Sequence, residues 1–432
     1  MDKRKLRELL VEHKEHALKA GDYFARQASS DPDRLFAQKE IHTITGVRRS
    51  GKSTLMRLLM KKLLDSGRTE LNQLLFLNFE DERFAEFRSS DFQALYEAYL
   101  ELEAPLAGKK YFFLDEIHNV PVWQRWVNRL YEFEDIKIFV TGSNAAMLSS
   151  EVATALTGRN RIMELFPFSF REFVRVKGTI PDDRDFLRPE KRAALVHLFD
   201  RYVQTGGFPE ALKTGDTSIL QEYFRDIIYR DIVARHGLRN VRELKELALY
   251  LASNISCRMS YKKLQDLISV RSVNTVKNYL SYLEDAFLFI RINLFDYSIK
   301  KQIYNPAKIY CVDHALAAAA GFRFSADIGR TLENIVCLEL KRRGHEIYYW
   351  RNRAGLEVDF LVKQGLDITG AIQVCHDLEE PGTKRREIKA ALAAAKKFGL
   401  DKVTVVTPGV WQEETLDGVK IDYLPVWKWL LG

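Results

Sequence analysis

Four short, continuous apolar runs dominate the first third of the chain: Ile41–Gly46 (IHTITG), Gln73–Phe79 (QLLFLNF), Lys110–Glu116 (KYFFLDE) and Ile136–Ser143 (IKIFVTGS). Helical patterns separate them, so they predict the strands of a parallel sheet buried on both faces, an α/β layout. A fifth run, Arg161–Phe168 (RIMELFPF), ends in Pro167 and is expected to close the sheet. Ahead of these runs, residues 1–35 read as one charged helix and a polar connector, SSDPDR. Behind them, Phe170 to about Gly237 reads as helices, an all-α lid interrupted by the polar PDDRD and by the turn GGFP at Gly206–Pro209.

From about Leu238 the pattern changes to two or three helices and then strand-like text, FLFIRINLF and KIYCV. Within it, Tyr261–Ile268, the break SVRS and Val273–Glu284 read as helix, turn, helix. The last region alternates again. A helix over about Asp327–Arg343 is followed by strands in EIYYWR, LEVDFLV and ITGAIQVC, a helix over Lys384–Phe398 and the strand KVTVVTP. The organisation expected is therefore an N-terminal extension (1–35), a nucleotide-binding α/β domain (36–168), a helical lid (169–237), a winged-helix-like domain (238–322) and an α/β C-terminal domain (323–432).

Length agrees with this division, because 432 residues exceed what one compact core normally holds. Apolar residues at 46% and charged residues at 29% exclude collagenous and wholly disordered classes. Four scattered cysteines, Cys257, Cys311, Cys337 and Cys375, form no close pair, so neither a zinc site nor a disulfide framework is expected and a reducing cytoplasm fits. The N-terminal MDKRKLRELLVEHKEH lacks the apolar stretch of a signal peptide, and no run reaches the ~18 apolar residues of a membrane span, so no membrane partner is expected.

The net charge of +7 says little by itself, but its distribution does: Gly237–Tyr310 carries 12 Lys/Arg against 6 Asp/Glu. A polyanion would meet that segment first.

The clearest chemistry lies after the first strand. Gly46-Val47-Arg48-Arg49-Ser50-Gly51-Lys52-Ser53 fits GxxxxGK[ST], and the helix that begins with Thr54 follows it. Glycines let backbone N–H groups wrap phosphates, Lys52 reaches the β- and γ-phosphates, and Ser53 supplies a Mg2+ ligand, so ATP and Mg2+ are the expected cofactors. The strand Tyr111-Phe-Phe-Leu-Asp115-Glu116 ends in two carboxylates 63 residues after Lys52. At the carboxyl edge of a parallel sheet, Asp115 is expected to hold the Mg2+ shell and Glu116 to activate water. Ser143 or Asn144, at the end of the fourth strand, is the candidate γ-phosphate sensor, with a plain turn as the other reading. Arg159 or Arg161 is a candidate finger on the γ-phosphate of the same or a neighbouring copy, with a surface ion pair as the other reading.

Together these strings resemble the AAA+ ATPases, and within them a prokaryotic group carrying a C-terminal domain of restriction-endonuclease-like fold. The resemblance covers nearly all of residues 36–432 and rests on GVRRSGKST, NFEDERF, LDEIHNVPVWQRWV, VTGSNAAML, LTGRNRIMELFPFSFREF, TGGFPEAL and YFRDIIYRDIV. It implies the ATPase roles for Lys52, Ser53, Asp115 and Glu116, the sensor role for Asn144 and the finger role for Arg159. His118 reads as a loop residue, and Trp123 and Trp126 as core or interface.

On the second helix of the basic segment, Val276, Tyr279, Leu280 and Leu283 share one face, while Arg271, Asn274, Thr275, Lys277 and Asn278 occupy the other side. With the strands that follow as wings, this looks like a winged helix. Two uses are open: DNA contact, or a helical hairpin packed on the lid.

In the last region, Glu333 on a helix, Glu357 and Asp359 on one strand and Gln373 on the next resemble the core of the PD-(D/E)xK nucleases. There such groups gather a divalent metal and a lysine follows two residues on. Here that position is Cys375, which supplies no fixed cation, so a degenerate site is expected unless a lysine such as Lys341 or Lys363 arrives from elsewhere.

The sequence thus predicts a Mg2+-dependent AAA+ ATPase acting on or with DNA, possible as a homo-oligomer. The alternative is a slow ATP/ADP switch that sets its C-terminal region toward a protein partner.

Overall fold

The computed structural model describes residues 1–19, 21, 23–29, 31–104, 108–142, 156, 158–178, 181–321 and 327–432. The chain divides into two compact units, Met1–Leu165 and Phe166–Gly432.

The first unit is built on five parallel strands: β1 (Ile41–Thr45), β2 (Leu74–Asn78), β3 (Lys110–Asp115), β4 (Ile136–Gly142) and β5 (Asn160–Glu164). Their order is β2-β3-β4-β1-β5. Because side chains alternate along a strand, the continuous apolar runs feed two cores at once. Leu75, Leu77, Phe112, Leu114, Ile138 and Val140 enter one. Leu74, Phe76, Tyr111, Phe113 and Phe139 enter the other. The expected fifth strand ends before Pro167, pairing with β1 from Ile41↔Asn160 to Thr45↔Glu164.

The N-terminal helix Lys3–Leu18 belongs to this unit's core rather than standing apart. Its charges hide a stripe of Leu6, Leu9, Leu10, His13 and Ala17 at helical spacing, all buried. Trp123 and Trp126, on the helix Trp123–Phe133, are buried as expected, and Trp126 stacks on Phe92 at 4.3 Å between centroids.

The second unit starts with helices Phe170–Lys177, Pro189–Thr205, Pro209–Thr214 and Ile219–Asp226, the last continuing as a π-helix, Ile227–Ala234. The GGFP turn has a steric reason. A Cβ at Gly206, where φ is +70°, would lie 2.4 Å from Asp313 Oδ1, and one at Gly207 would lie 2.3 Å from the Phe168 carbonyl oxygen. Asp313 Oδ2 accepts the Gly207 N–H at 2.7 Å, so only glycine lets the chain pass this close.

Next comes a small antiparallel sheet, β6 (Cys257–Met259), β7 (Phe289–Ile292) and β8 (Ala307–Cys311), in the order β6-β8-β7. Helices Val241–Ser253, Tyr261–Leu267 and Val273–Asp285 are interleaved with its strands. The unit ends in a mixed six-stranded sheet of β9 (Glu346–Arg351), β10 (Glu357–Gln364), β11 (Asp367–Val374), β12 (Lys402–Thr407), β13 (Gln412–Leu416) and β14 (Val419–Pro425). Its order is β13-β14-β12-β11-β10-β9. Helices Ile328–Arg342 and Pro381–Phe398 accompany this sheet, the first buried on nearly every side.

Candidate active site

Register brings the chemistry of the first unit to one sheet edge. Thr45 lies opposite Gly142, and Asn78 opposite Asp115, so β1 to β4 present their carboxyl ends together. The phosphate-type loop springs from the end of β1. Gly46 sits at φ +137°, where a Cβ would lie 2.3 Å from the Leu165 carbonyl oxygen, and Gly51 sits at φ +97° just before the helix Lys52–Asp65. Arg49 also adopts a positive φ, 69°. Lys52 is buried and its Nζ donates to the carbonyls of Gly46 (3.0 Å) and Val47 (3.2 Å), inside the curve of the loop. Two arginines brace the outside: Arg26 donates to the Ser50 carbonyl at 2.7 Å, and Arg48 pairs with Glu80 at 2.7 Å.

Asp115 is buried beside Ser53 and Thr141. Burial, then the neighbouring Glu116 charge, pushes its carboxyl up from its ordinary value, against hydrogen bonds from Thr141 and Ser53 and the charge of Lys52. The Thr141 hydroxyl donates to Asp115 Oδ1 at 2.5 Å and accepts the Glu116 N–H at 2.8 Å. Glu116 holds a left-handed backbone, φ 50°, which turns the chain sharply at the sheet edge. Its Oε2 lies 3.3 Å from His118 Nδ1. Buried hydroxyls of Thr45 and Ser50 have no hydrogen-bond partner among the described residues. A hydroxyl and a carboxylate side by side, with unspent polar atoms around them, fit a hard, oxygen-seeking cation and a phosphate chain.

A family model described as an AAA domain matches residues 38–174, and two models described as domains of unknown function match 196–327 and 328–428. An uncharacterized protein of Methanocaldococcus jannaschii is 34% identical over 427 residues, covering 94% of this chain and 92% of its own length. Another, from Haemophilus influenzae, is 31% identical over 397 residues, covering 90% of this chain and 94% of its own. The chain belongs to their family, and it carries an AAA domain over residues 38–174. Among solved structures, the Aeropyrum pernix ORC1 protein in complex with DNA is similar at TM-score 0.29 and 14% identity, over 71% of this chain and 92% of that one. The Saccharomyces cerevisiae Hsp104–ADP complex is similar at TM-score 0.34 and 16% identity, over 78% and 58%.

Other expected site residues of this AAA+ protein fall in three places. Asn144 and Ser143 lie outside the described residues. Arg159 stands just before β5, where its carbonyl accepts the Ile41 N–H at 2.8 Å. That is the amino edge of the sheet, about 16 Å of strand away from the loop after Thr45. The Arg159 guanidinium binds Asn128 and Glu132 on the helix Trp123–Phe133, the latter at 2.6 Å. The phosphates of its own copy are therefore out of its reach; the Glu132 contact is the surface ion pair of the other reading, and a finger role requires a neighbouring copy. Arg161 is paired with Glu40 at 3.0 Å.

On the helix Val273–Asp285, Val276, Tyr279, Leu280 and Leu283 are buried, and Asn274, Lys277 and Asn278 are exposed, as is Arg271 before it. Thr275 is half-buried. Arg271 and Lys277 have no ion-pair partner among the described residues, although Lys277 lies over the Tyr261 ring at 5.3 Å. Some other cations of the basic segment are paired, Arg258 with Glu357, Lys262 with Asp266, Arg291 with Glu284 and Lys301 with Asp296, whereas Arg239, Lys245, Lys263 and Lys300 have no ion pair among the described residues.

Around Asp359 the expected lysine comes from neither suggested source. Lys363 pairs with Glu346 at 2.9 Å, and Lys341 makes no contact with the cluster. Lys308 of β8 reaches Glu333, Glu357 and Asp359 instead. Spacing gave no sign of this, because the lysine lies upstream of all three acids on a different sheet.

Proposed function

We propose that this AAA+ protein is a Mg2+-dependent ATPase that acts on or with DNA, and that its nuclease-like C-terminal fold does not cleave. The hydrolysis part rests on the loop and sheet edge described above. Bound Mg2+ neutralises charge on the β- and γ-phosphates. Lys52 turns its ammonium from the loop carbonyls to the phosphates, Ser53 and Asp115 hold the cation, and residues 46–54 from Gly46 to Thr54 line the phosphate cradle with backbone N–H groups. Glu116 orients and deprotonates the attacking water. Asn144 is assigned to sensing the γ-phosphate, and Arg159 to stabilising it in a neighbouring copy, which requires a homo-oligomer.

The observation that carries the DNA part is the exposed face of Arg271, Asn274, Lys277 and Asn278 on a helix whose other face is core. The succession helix, strand, helix, helix, strand, short helix (Ile299–Tyr304), strand over residues 241–311, with its sheet order β6-β8-β7, supports a winged-helix reading in which the helix Val273–Asp285 meets a groove. Two unpaired cations among amides suit phosphates and base edges.

Fluorescence anisotropy of labelled duplex DNA across a salt series tests this part. The reading expects binding that weakens steeply with salt, and Arg271→Ala with Lys277→Ala to lower the log–log slope by about 2. Unchanged affinity in that double variant would reject the assigned face. A switch that controls a protein partner is the second reading. It is favoured by the ion cluster at Asp359, where a lysine does arrive, Lys308, but commits its ammonium to all three acids and so leaves the C-terminal fold without effector chemistry.

A further inference from the structure

The cluster at Asp359 joins two sheets of the second unit. Lys308 Nζ lies 2.9 Å from Glu333 Oε1, 3.0 Å from Glu357 Oε1 and 2.8 Å from Asp359 Oδ1. The ammonium donates hydrogen bonds to Glu333 and Asp359 and forms an ion pair with Glu357. Lys308 is 3% exposed. Burial pulls its ammonium down, but Asp359, Glu333 and Glu357 outweigh that and hold it well above its ordinary value, so it stays charged.

Neighbouring groups add further contacts to the cluster. Tyr310 donates to Glu333 Oε1 at 2.7 Å, the Val374 N–H to Asp359 Oδ2 at 3.0 Å, and Arg258 Nε lies 3.4 Å from Glu357 Oε2. Gln373, the fourth expected ligand, turns its oxygen to the Asp359 N–H at 3.3 Å and its amide nitrogen to Glu387 at 2.5 Å. The carboxylate oxygens are thus spread at ammonium distance, wider than the ~2.0–2.6 Å that Mg2+ or Ca2+ requires. Among the described residues no group of three or more His, Cys, Asp or Glu side chains is placed to hold a metal ion.

The residues present therefore do not fit a divalent metal. We propose that Lys308 is the resident cation of this centre: its ammonium takes the position a metal would fill and keeps the three carboxylates from binding one. Three carboxylates gathered at one place, Asp359 buried and Glu333 and Glu357 half-buried, repel one another without a cation, because charge drawn out of water must be paired. Lys308 supplies that pairing from β8, so the same bond ties the small sheet to the C-terminal sheet. This inference stands apart from the ATPase and DNA readings, since it uses none of their residues.

Mn2+ uptake by the nucleotide-free full chain tests it, in an Asp115→Asn background that removes metal binding at the nucleotide site. With Lys308 present, no Mn2+ is expected at this centre. Lys308→Ala is expected to raise uptake from zero to one ion per chain, and adding Asp359→Asn to abolish it. Lys308→Gln, which keeps the side chain's bulk, replaces the alanine variant if that fails to fold. Mn2+ bound with Lys308 in place and lost on Asp359→Asn would overturn the proposal, as would a folded Lys308 variant that takes up no ion.

Discussion

The Thr141 hydroxyl joins the two acids of the third strand's end, donating to Asp115 Oδ1 at 2.5 Å and accepting the Glu116 N–H at 2.8 Å. One side chain thereby fixes both the carboxylate assigned to the cation and the backbone of the residue assigned to the water. Thr141→Val keeps the volume and removes the hydroxyl, leaving a buried N–H unsatisfied. The expected cost is about 1–3 kcal/mol of stability, with a tenfold or greater drop in ATP turnover. Urea denaturation beside steady-state hydrolysis checks this, with Thr141→Ser expected to restore most of both.

Gly46 marks the other tight point of the site. Its φ of +137° and the 2.3 Å that would separate a Cβ from the Leu165 carbonyl oxygen leave no room for a side chain. Gly46→Ala is expected to move the loop off β5 and to abolish binding of a fluorescent ATP analogue, while losing about 1–3 kcal/mol in denaturation. An alanine variant that binds nucleotide normally would show that the loop does not depend on this approach.

Arg159 lies at the amino edge of the sheet, bound to Glu132 at 2.6 Å, so its assigned finger role works only across copies. Arg159→Ala and Lys52→Ala should each be inactive alone. Mixed, they should regain part of the hydrolysis, because a Lys52→Ala copy still offers its arginine to an intact loop. Absence of any regain in assembled mixtures would remove Arg159 from the mechanism.

Lys137 gives the first unit a pH signature. It is buried in β4, with its Nζ donating to the Gln38 carbonyl at 2.6 Å and lying 2.8 Å from His42 Nδ1. Burial above all, helped by Lys109, pulls its ammonium down to about 7. The unfolded chain then holds a proton that the folded chain releases between about pH 7 and 10.5. Stability should rise with pH through that window and flatten above it. Urea midpoints of wild type and Lys137→Met should diverge in slope there, whereas parallel curves would contradict the depressed value.

Much of the first unit was legible because its signals are local. Buried strands announce themselves as unbroken apolar runs, and the loop's glycines, Lys52 and Ser53 sit within eight residues of one another. The helix Val273–Asp285 declared its buried face by spacing for the same reason. What escaped was non-local. Glu333 and Asp359 lie 25 and 51 residues after Lys308, on other elements, so nothing in the text tied them together. Lys308 therefore counted as one cation of a basic segment, although the fold spends it internally. Thr141 carries no assignable role in the sequence beside Ser143 and Asn144, because a hydroxyl two residues before Ser143 belongs to no motif. The N-terminal helix was set apart as an extension because its charges outnumber the apolar residues, yet a five-residue stripe sufficed to bury it.

Steady-state ATP hydrolysis with Mg2+, measured with and without duplex DNA for wild type, Glu116→Gln and Lys52→Ala, tests the central claim most directly. The account predicts turnover that DNA stimulates in wild type and that both substitutions abolish. Equal turnover in all three proteins would contradict the nucleotide site, and wild-type turnover indifferent to DNA would contradict a DNA-acting ATPase.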